Sequence, residues 1–163
     1  LPTLLEAVGI PVPETVQGRS FLRLLAGLAC EPRAEVFSEM TYHDYYDPRR
    51  CIRTRRHKFI ANFAASPFFM DPSETWRPGT VTQNPARPEA AFHPPFELYD
   101  LDKDPLENDN LAGSEAYRET RRDLAGRLFA WMRETADPLL GGPPPSPMHL
   151  KTLAELRNLA QSI

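Results

Sequence analysis

Proline sets the strongest constraint on this chain. Eighteen of its 163 residues are proline, about 11%, roughly twice the usual share. Each proline fixes φ and removes a backbone donor, so regular elements must fit in the intervals between them. That excludes an all-helical bundle or a coiled coil and points to long ordered loops. Two partner classes fall away as well. No stretch approaches the roughly 20 apolar residues a bilayer requires, so no membrane span is expected. A net charge of −3 argues against a general nucleic-acid binder. Two cysteines, Cys30 and Cys51, are too few for a disulfide framework and leave open whether they bridge.

Periodicity places the elements. Residues 2–8 are predicted helical, with Thr3 and Glu6 at capping-box spacing, Pro2 at the start and Gly9 at the stop. Ser20 is expected to cap a second short helix containing Phe21, Leu22, Leu24 and Leu25. Strand alternation runs over 35–40, 50–54, 58–62 and 97–101, the middle two forming a hairpin around Arg55-Arg56. Tyr42 to Pro48 is expected to be a loop. Residues 64–95 carry seven prolines and form a long irregular excursion. One strong helix is predicted from Ser114 to Thr135, with Tyr117, Leu124, Leu128 and Trp131 on one apolar stripe that should lie across the sheet. Gly141-Gly142-Pro143-Pro144-Pro145 is a linker, and 148–161 a weakly amphipathic helix.

Several segments begin like chemical motifs but have plainer readings. Asp100-x-Asp102-x-Asp104 begins like a calcium loop, but Pro105 and Leu111 stand where Gly and Glu are needed, leaving a solvated acidic turn. Gly18-Arg19-Ser20-Phe21-Leu22 lacks the second glycine of a nucleophile elbow. His43, His57, His93 and His149 never share a helix face at metal-ligand spacing. Arg49, Arg50, Arg53, Arg55, Arg56 and Lys58 put six fixed positive charges within ten residues, beside His57. Two readings of that run stay open: a polyanion-binding patch, or a solvated hairpin whose arginines pair with Glu35, Glu39 or Asp47.

Four segments, in order, resemble the C-terminal portion of the sulfatase family. They are Leu1 to Pro13; Gln17-Gly18-Arg19-Ser20-Phe21, matching "QGRS"; Cys51 to Ile60, similar to an "R-T-x-x-x-K" hairpin; and Glu97-Leu98-Tyr99-Asp100-Leu101 with Asp104-Pro105-x-Glu107-x-x-Asn110-Leu111. The last, "ELYDL…DP.E..NL", is the most specific. The resemblance covers about residues 1–140. Thr41 to Arg49, Asn62, and Trp131 to Pro138 are most similar to the heparan N-sulfatase (sulfamidase) branch of that family.

The resemblance implies an α+β fold: a four-stranded antiparallel sheet packed by a long C-terminal helix, the smaller C-terminal domain of an alkaline-phosphatase-like sulfatase. Residues 1–30 would be the tail end of a catalytic α/β domain, 31–140 the C-terminal subdomain, and 141–163 linker and terminal helix. The expected partners are the chain's own N-terminal catalytic domain and a sulfated sugar, with a homodimer left open. The family's formylglycine, made from Cys in C-x-P-x-R, and its calcium are expected upstream, with no cofactor and no catalytic or metal residue here. Cys30-Glu31-Pro32-Arg33-Ala34 has Ala34 where the arginine should stand. Since the first residue is Leu1, inside a predicted helix, the chain is expected to be part of a longer polypeptide. A periplasmic, secreted or lysosome-like location would follow if that polypeptide carries a signal peptide.

The loop joining the first two strands is the candidate substrate rim. His43, Tyr45, Tyr46 and Arg49 combine aromatic faces for a pyranose ring with a guanidinium for carboxylate or sulfate. The alternatives are that these residues brace an interdomain contact, or that the chain is a stand-alone non-catalytic module for sulfated glycan or protein.

Overall fold

The computed structural model describes residues 1–42, 46–66 and 92–160. The chain divides into two compact units, Leu1–Ala34 and Glu35–Ile163. Among the described residues no helix is long and apolar enough to cross a membrane.

In the first unit α1 (Pro2–Ala7) begins at its proline and stops at Gly9, whose φ of +73° favours glycine. The expected Thr3–Glu6 capping box does not form. Pro2, pre-set for helical φ, starts the helix one residue early and leaves Thr3 inside it. Thr3 is buried instead, and its Oγ1 accepts a hydrogen bond from Phe21 N at 3.2 Å, tying α1 to α2 (Leu22–Leu25). Ser20 Oγ accepts from Leu22 N at 3.1 Å, but the N-cap of α2 is Phe21, so Ser20 stands one position outside the cap expected of it. The side chains of Leu4, Val8, Leu24 and Leu25 remain 63–71% exposed.

The second unit is a four-stranded antiparallel sheet whose strands neighbour one another in chain order: β1 (Glu35–Tyr42), β2 (Tyr46–Thr54), β3 (His57–Asn62) and β4 (Phe96–Asp100). Phe37, Ile52, Phe59 and Leu98 lie in one cross-strand row, and α3 (Arg118–Glu134) covers it. The helix contributes Leu124, Leu128 and Met132 to the core, flanked by Tyr117 and Trp131; Trp131 stacks on Phe37 at 4.9 Å. Met132 joins the stripe because it follows Leu128 by four residues on the same face. Tyr117 lies in the 3₁₀ turn Glu115–Tyr117 that precedes α3.

Two expectations change. Of the loop expected from Tyr42 to Pro48, the described residues are strand, since β1 continues to Tyr42 and β2 starts at Tyr46. Pro48 is tolerated within β2 because the register with β1 shifts between Met40 and Tyr42. An irregularity of this kind spares proline a ladder donation. The acidic turn is not simply solvated either. Asp100 is fully buried and accepts from Arg56 Nε and Nη2 at 3.1 and 2.8 Å and from Tyr117 Oη at 2.8 Å.

The "ELYDL…DP.E..NL" segment builds scaffold. Asp104 Oδ2 accepts from Asn108 N and Asp109 N, closing the turn. Asn110 then runs along the outer edge of β4: Oδ1 accepts from Leu98 N and Ala112 N, Nδ2 donates to Phe96 O, and Leu111 N donates to Leu98 O. An exposed row of strand donors and acceptors is thereby satisfied within the chain. At the far end of α3, Ala136 takes φ +51° and Asp137 N reaches back to Met132 O at 2.8 Å, a Schellman ending. It turns Asp137 toward the sheet. α4 (Pro147–Ala160) exposes every side chain described.

Candidate binding site

The candidate rim lies at the sheet end where β1 meets β2 and β3 runs out. His43 and Tyr45 fall outside the described residues. Tyr46 is half-buried against Tyr42, ring centroids 5.2 Å apart, and Tyr42 Oη donates to Pro144 O at 2.8 Å. Burial and the neighbouring Tyr42 push the Tyr46 hydroxyl above its ordinary range. Arg49 is held by Asp47 in a two-pronged pair, Nε and Nη2 to the carboxylate at 2.8 and 2.6 Å. Burial pushes the Asp47 carboxyl up, but the two-pronged pair with Arg49 outweighs it and holds it below the usual range. One edge of the Arg49 fork is thus already occupied.

Strand alternation puts Asn62 beside Arg49 as its cross-strand partner and points Glu97 and Tyr99 to that same face, away from α3. There Glu97 is buried and fully engaged: Oε1 takes Asn62 Nδ2 at 2.7 Å and lies 2.8 Å from His93 Nδ1, while Oε2 takes Tyr99 Oη at 2.5 Å. Burial pushes the Glu97 carboxyl up, yet the His93, Tyr99 and Asn62 hydrogen bonds win and bring it to about 2. Burial first, and then the adjoining carboxylate, drive the Tyr99 phenol well above its ordinary range. The same cluster closes the base of the excursion after β3. Asn62 Nδ2 also donates to Pro94 O at 2.7 Å, Asn62 N to Pro95 O at 2.9 Å, and His93 N to Ser66 O at 2.9 Å. Beside it is a pocket of about 260 Å³ lined by Asn62, Phe63, Ala64, Ala65, His93 and Pro95.

The sequence did not single out Glu97, Tyr99 and His93 as a cluster. The available signal was Glu97 and Tyr99 at strand spacing with His93 four residues before Glu97. A polar strand face gives no sign of whether it will be buried.

The basic run does not form one patch, because alternation and the turn split it. Arg50 turns toward α3, 1% exposed, and grips Asp137 through Nε and Nη2 while Nη1 donates to Met40 O at 2.8 Å. Arg56 goes to Asp100, and Lys58 to Glu107 at 2.5 Å. Asp47 is the partner anticipated for an arginine of the run. Glu39 sits only at 3.7 Å from Arg50, and Glu35 pairs with Arg127 of α3 instead. Four of the six cations are therefore held by carboxylates.

No described cluster fits a metal. Asp100 is engaged by Arg56 and Tyr117, Asp104 by backbone N–H groups, and no three of His, Cys, Asp or Glu converge among the described residues. Cys30 is exposed and Cys51 buried, both as free thiols; burial pushes the Cys51 thiol up.

Comparison with known proteins supplies the context. No protein-family model matches the sequence. The chain is 34% identical over 142 residues to an ulvan-active sulfatase of Formosa agariphila, covering 84% of this chain and 28% of that protein. It is 34% identical to human arylsulfatase A, covering 71% and 22%, and 29% identical to human N-sulphoglucosamine sulphohydrolase, covering 87% and 33%. Among solved structures, a 2-O GAG sulfatase superposes with a TM-score of 0.61 at 25% identity, over 86% of this chain and 25% of that one. The chain spans between about a fifth and a third of the length of these relatives.

Proposed function

Because the chain belongs to the sulfatase family, we propose that it is the C-terminal portion of a sulfatase acting on a sulfated sugar. The reaction itself, with formylglycine and calcium, then belongs to sequence upstream of this segment. One observation carries this reading: most of the chain aligns with a small fraction of each relative. Neither Cys30 nor Cys51 stands in C-x-P-x-R, so no step of the chemistry is routed through this segment.

The domain's own contribution is to the rim. Tyr46 and Arg49 stand at one sheet end with Asn62, and a ring held there would meet aromatic faces and a partly occupied guanidinium. His43 and Tyr45 complete the proposed set. The test is kinetic, on the full-length polypeptide. Arg49→Ala should lower kcat/KM for a sulfated oligosaccharide about tenfold or more while leaving a small aryl sulfate within about twofold. Equal losses on both substrates with a lowered Tm would make Arg49 scaffold. Turnover of aryl sulfate by residues 1–163 alone would overturn the assignment of the chemistry to upstream sequence.

A further inference from the structure

The two edges of the sheet are finished differently. Along β4 the chain covers its own edge: Asn110 and Leu111 take up Leu98 N, Leu98 O and Phe96 O. β1 is the other outer strand and pairs with β2 alone. Among the described residues, no backbone hydrogen bond reaches its far side, and Arg50, which donates to Met40 O, comes from β2 itself. In an antiparallel edge strand, the N–H and C=O groups that do not face the neighbour point outward and can template a further strand.

The usual means of blunting such an edge are missing from β1. It is eight residues long and holds no proline, lysine or arginine. Its register with β2 runs unbroken from Glu35 to Met40, and the irregularity comes only beyond Met40. Its two carboxylates lie on the α3 side, where Glu35 pairs with Arg127 and Glu39 lies 3.7 Å from Arg50. On the opposite face Val36 is 46% exposed, and Ser38 is exposed as well.

What fits an open strand edge is an extended backbone. A second copy of this chain carries one. Because the β4 edge is covered, each copy offers one open edge, and β1 can pair only with β1. Such a pairing closes as a two-fold dimer instead of growing into a fibre. Antiparallel pairing sets residues of the same face opposite one another. Centred on Ser38, it places Val36 against Met40, Phe37 against Glu39 and Glu35 against Thr41, with no two carboxylates opposed. Centred on Phe37, it would set Glu35 against Glu39. The flank of α3 that carries Arg127 is hollowed, with about 390 Å³ lined by Glu119, Arg122, Asp123, Gly126 and Arg127. Two carboxylates and two guanidiniums there let a second copy approach without net repulsion.

We propose that β1 is a homodimer interface, in which the β1 strands of two copies pair antiparallel about Ser38 and join two four-stranded sheets into one. The homodimer left open by the sequence thereby gains a surface, and it does not depend on the chemistry assigned upstream.

The test combines sedimentation velocity with amide hydrogen exchange on the whole chain over a concentration series. Dimers are expected, with the amides of Glu35–Met40 gaining protection as they form. Ser38→Lys places two ammonium groups face to face at the two-fold and should weaken dimerisation about fivefold at low salt. Ser38→Asp should do the same. An equimolar mixture of the two variants opposes unlike charges and should restore association, which guards against misfolding of either. A chain that stays monomeric, dimers indifferent to both variants, or a mixture that fails to recover overturns the interface. So does a monomeric full-length polypeptide with this strand already protected, because its edge is then covered by its own chain. None of these outcomes bears on sulfate-ester turnover by the full-length enzyme, which tests the function proposed above.

Discussion

The two faces of the sheet use the same four strands to opposite ends. Toward α3 the row Phe37, Ile52, Phe59 and Leu98 is apolar, and at its margins buried Arg50 pairs with Asp137 while half-exposed Arg56 pairs with buried Asp100. On the other face Glu97 is held by an amide, a phenol and an imidazole, and Arg49 is clipped to Asp47. Ion pairs on the first face fasten one element to another across 87 and 44 residues of sequence. The second face fastens the chain to itself around a pocket. The Glu97 carboxylate is thus satisfied from three side chains that converge on it, where the first face meets each buried carboxylate with an arginine.

Three measurements press on this contrast, in descending size. Arg50→Ala should cost about 3–5 kcal/mol in denaturant unfolding, because it strands Asp137 as an uncompensated buried charge. Replacing both partners, Arg50→Met with Asp137→Leu, should recover most of that loss. If the double variant is as unstable as the single one, the pair does more than clamp α3 to β2.

Glu97→Gln probes the other face through pH. The Glu97 carboxyl is held at about 2, below its unfolded value of about 4.3. Its contribution, on the order of 3 kcal/mol, is fully present above pH 5 and lost as pH falls toward 2. The Gln variant should be less stable at pH 7 and show a shallower decline between pH 5 and 2. An unchanged acid profile would mean that the Asn62, Tyr99 and His93 contacts do not favour the ionised form. The smallest effect is Ala136→Gly, which relieves a left-handed φ at the end of α3 and should stabilise by roughly 0.5–1 kcal/mol. A loss of stability there would show that the methyl group packs usefully against the helix-covered face.

The apolar face was largely legible in the sequence, since alternation at 35–40, 50–54, 58–62 and 97–101 and the Leu124/Leu128 spacing carry a periodic apolar signal. Met132 and the longer β1 and β2 were missed where proline and aromatic residues interrupt the period. The polar face was hardly legible. Arg49 and Arg50 are adjacent and chemically identical, yet one lies beside the pocket and the other is 1% exposed under α3. Only knowing the register separates them, because a one-residue step in a strand reverses the face. Glu97 likewise gives no sign of burial until Asn62 and His93 arrive from outside its strand.

The stitching at Asn62 has a consequence for how such a chain can vary over evolutionary time. Asn62 bonds Pro94 and Pro95, and Ser66 bonds His93, so the path leaving β3 and the path arriving at β4 are joined at their feet. The sheet therefore senses only that its two strands are met correctly, not how much sequence passes between them. Closing a longer flexible loop costs little, about 0.6 kcal/mol per doubling of length. Insertions between Ser66 and Phe92 can lengthen, shorten or be exchanged wholesale at small thermodynamic cost while β3, β4 and α3 stay in place. Differences of length between relatives should therefore accumulate between these two joined feet sooner than inside β3 or β4.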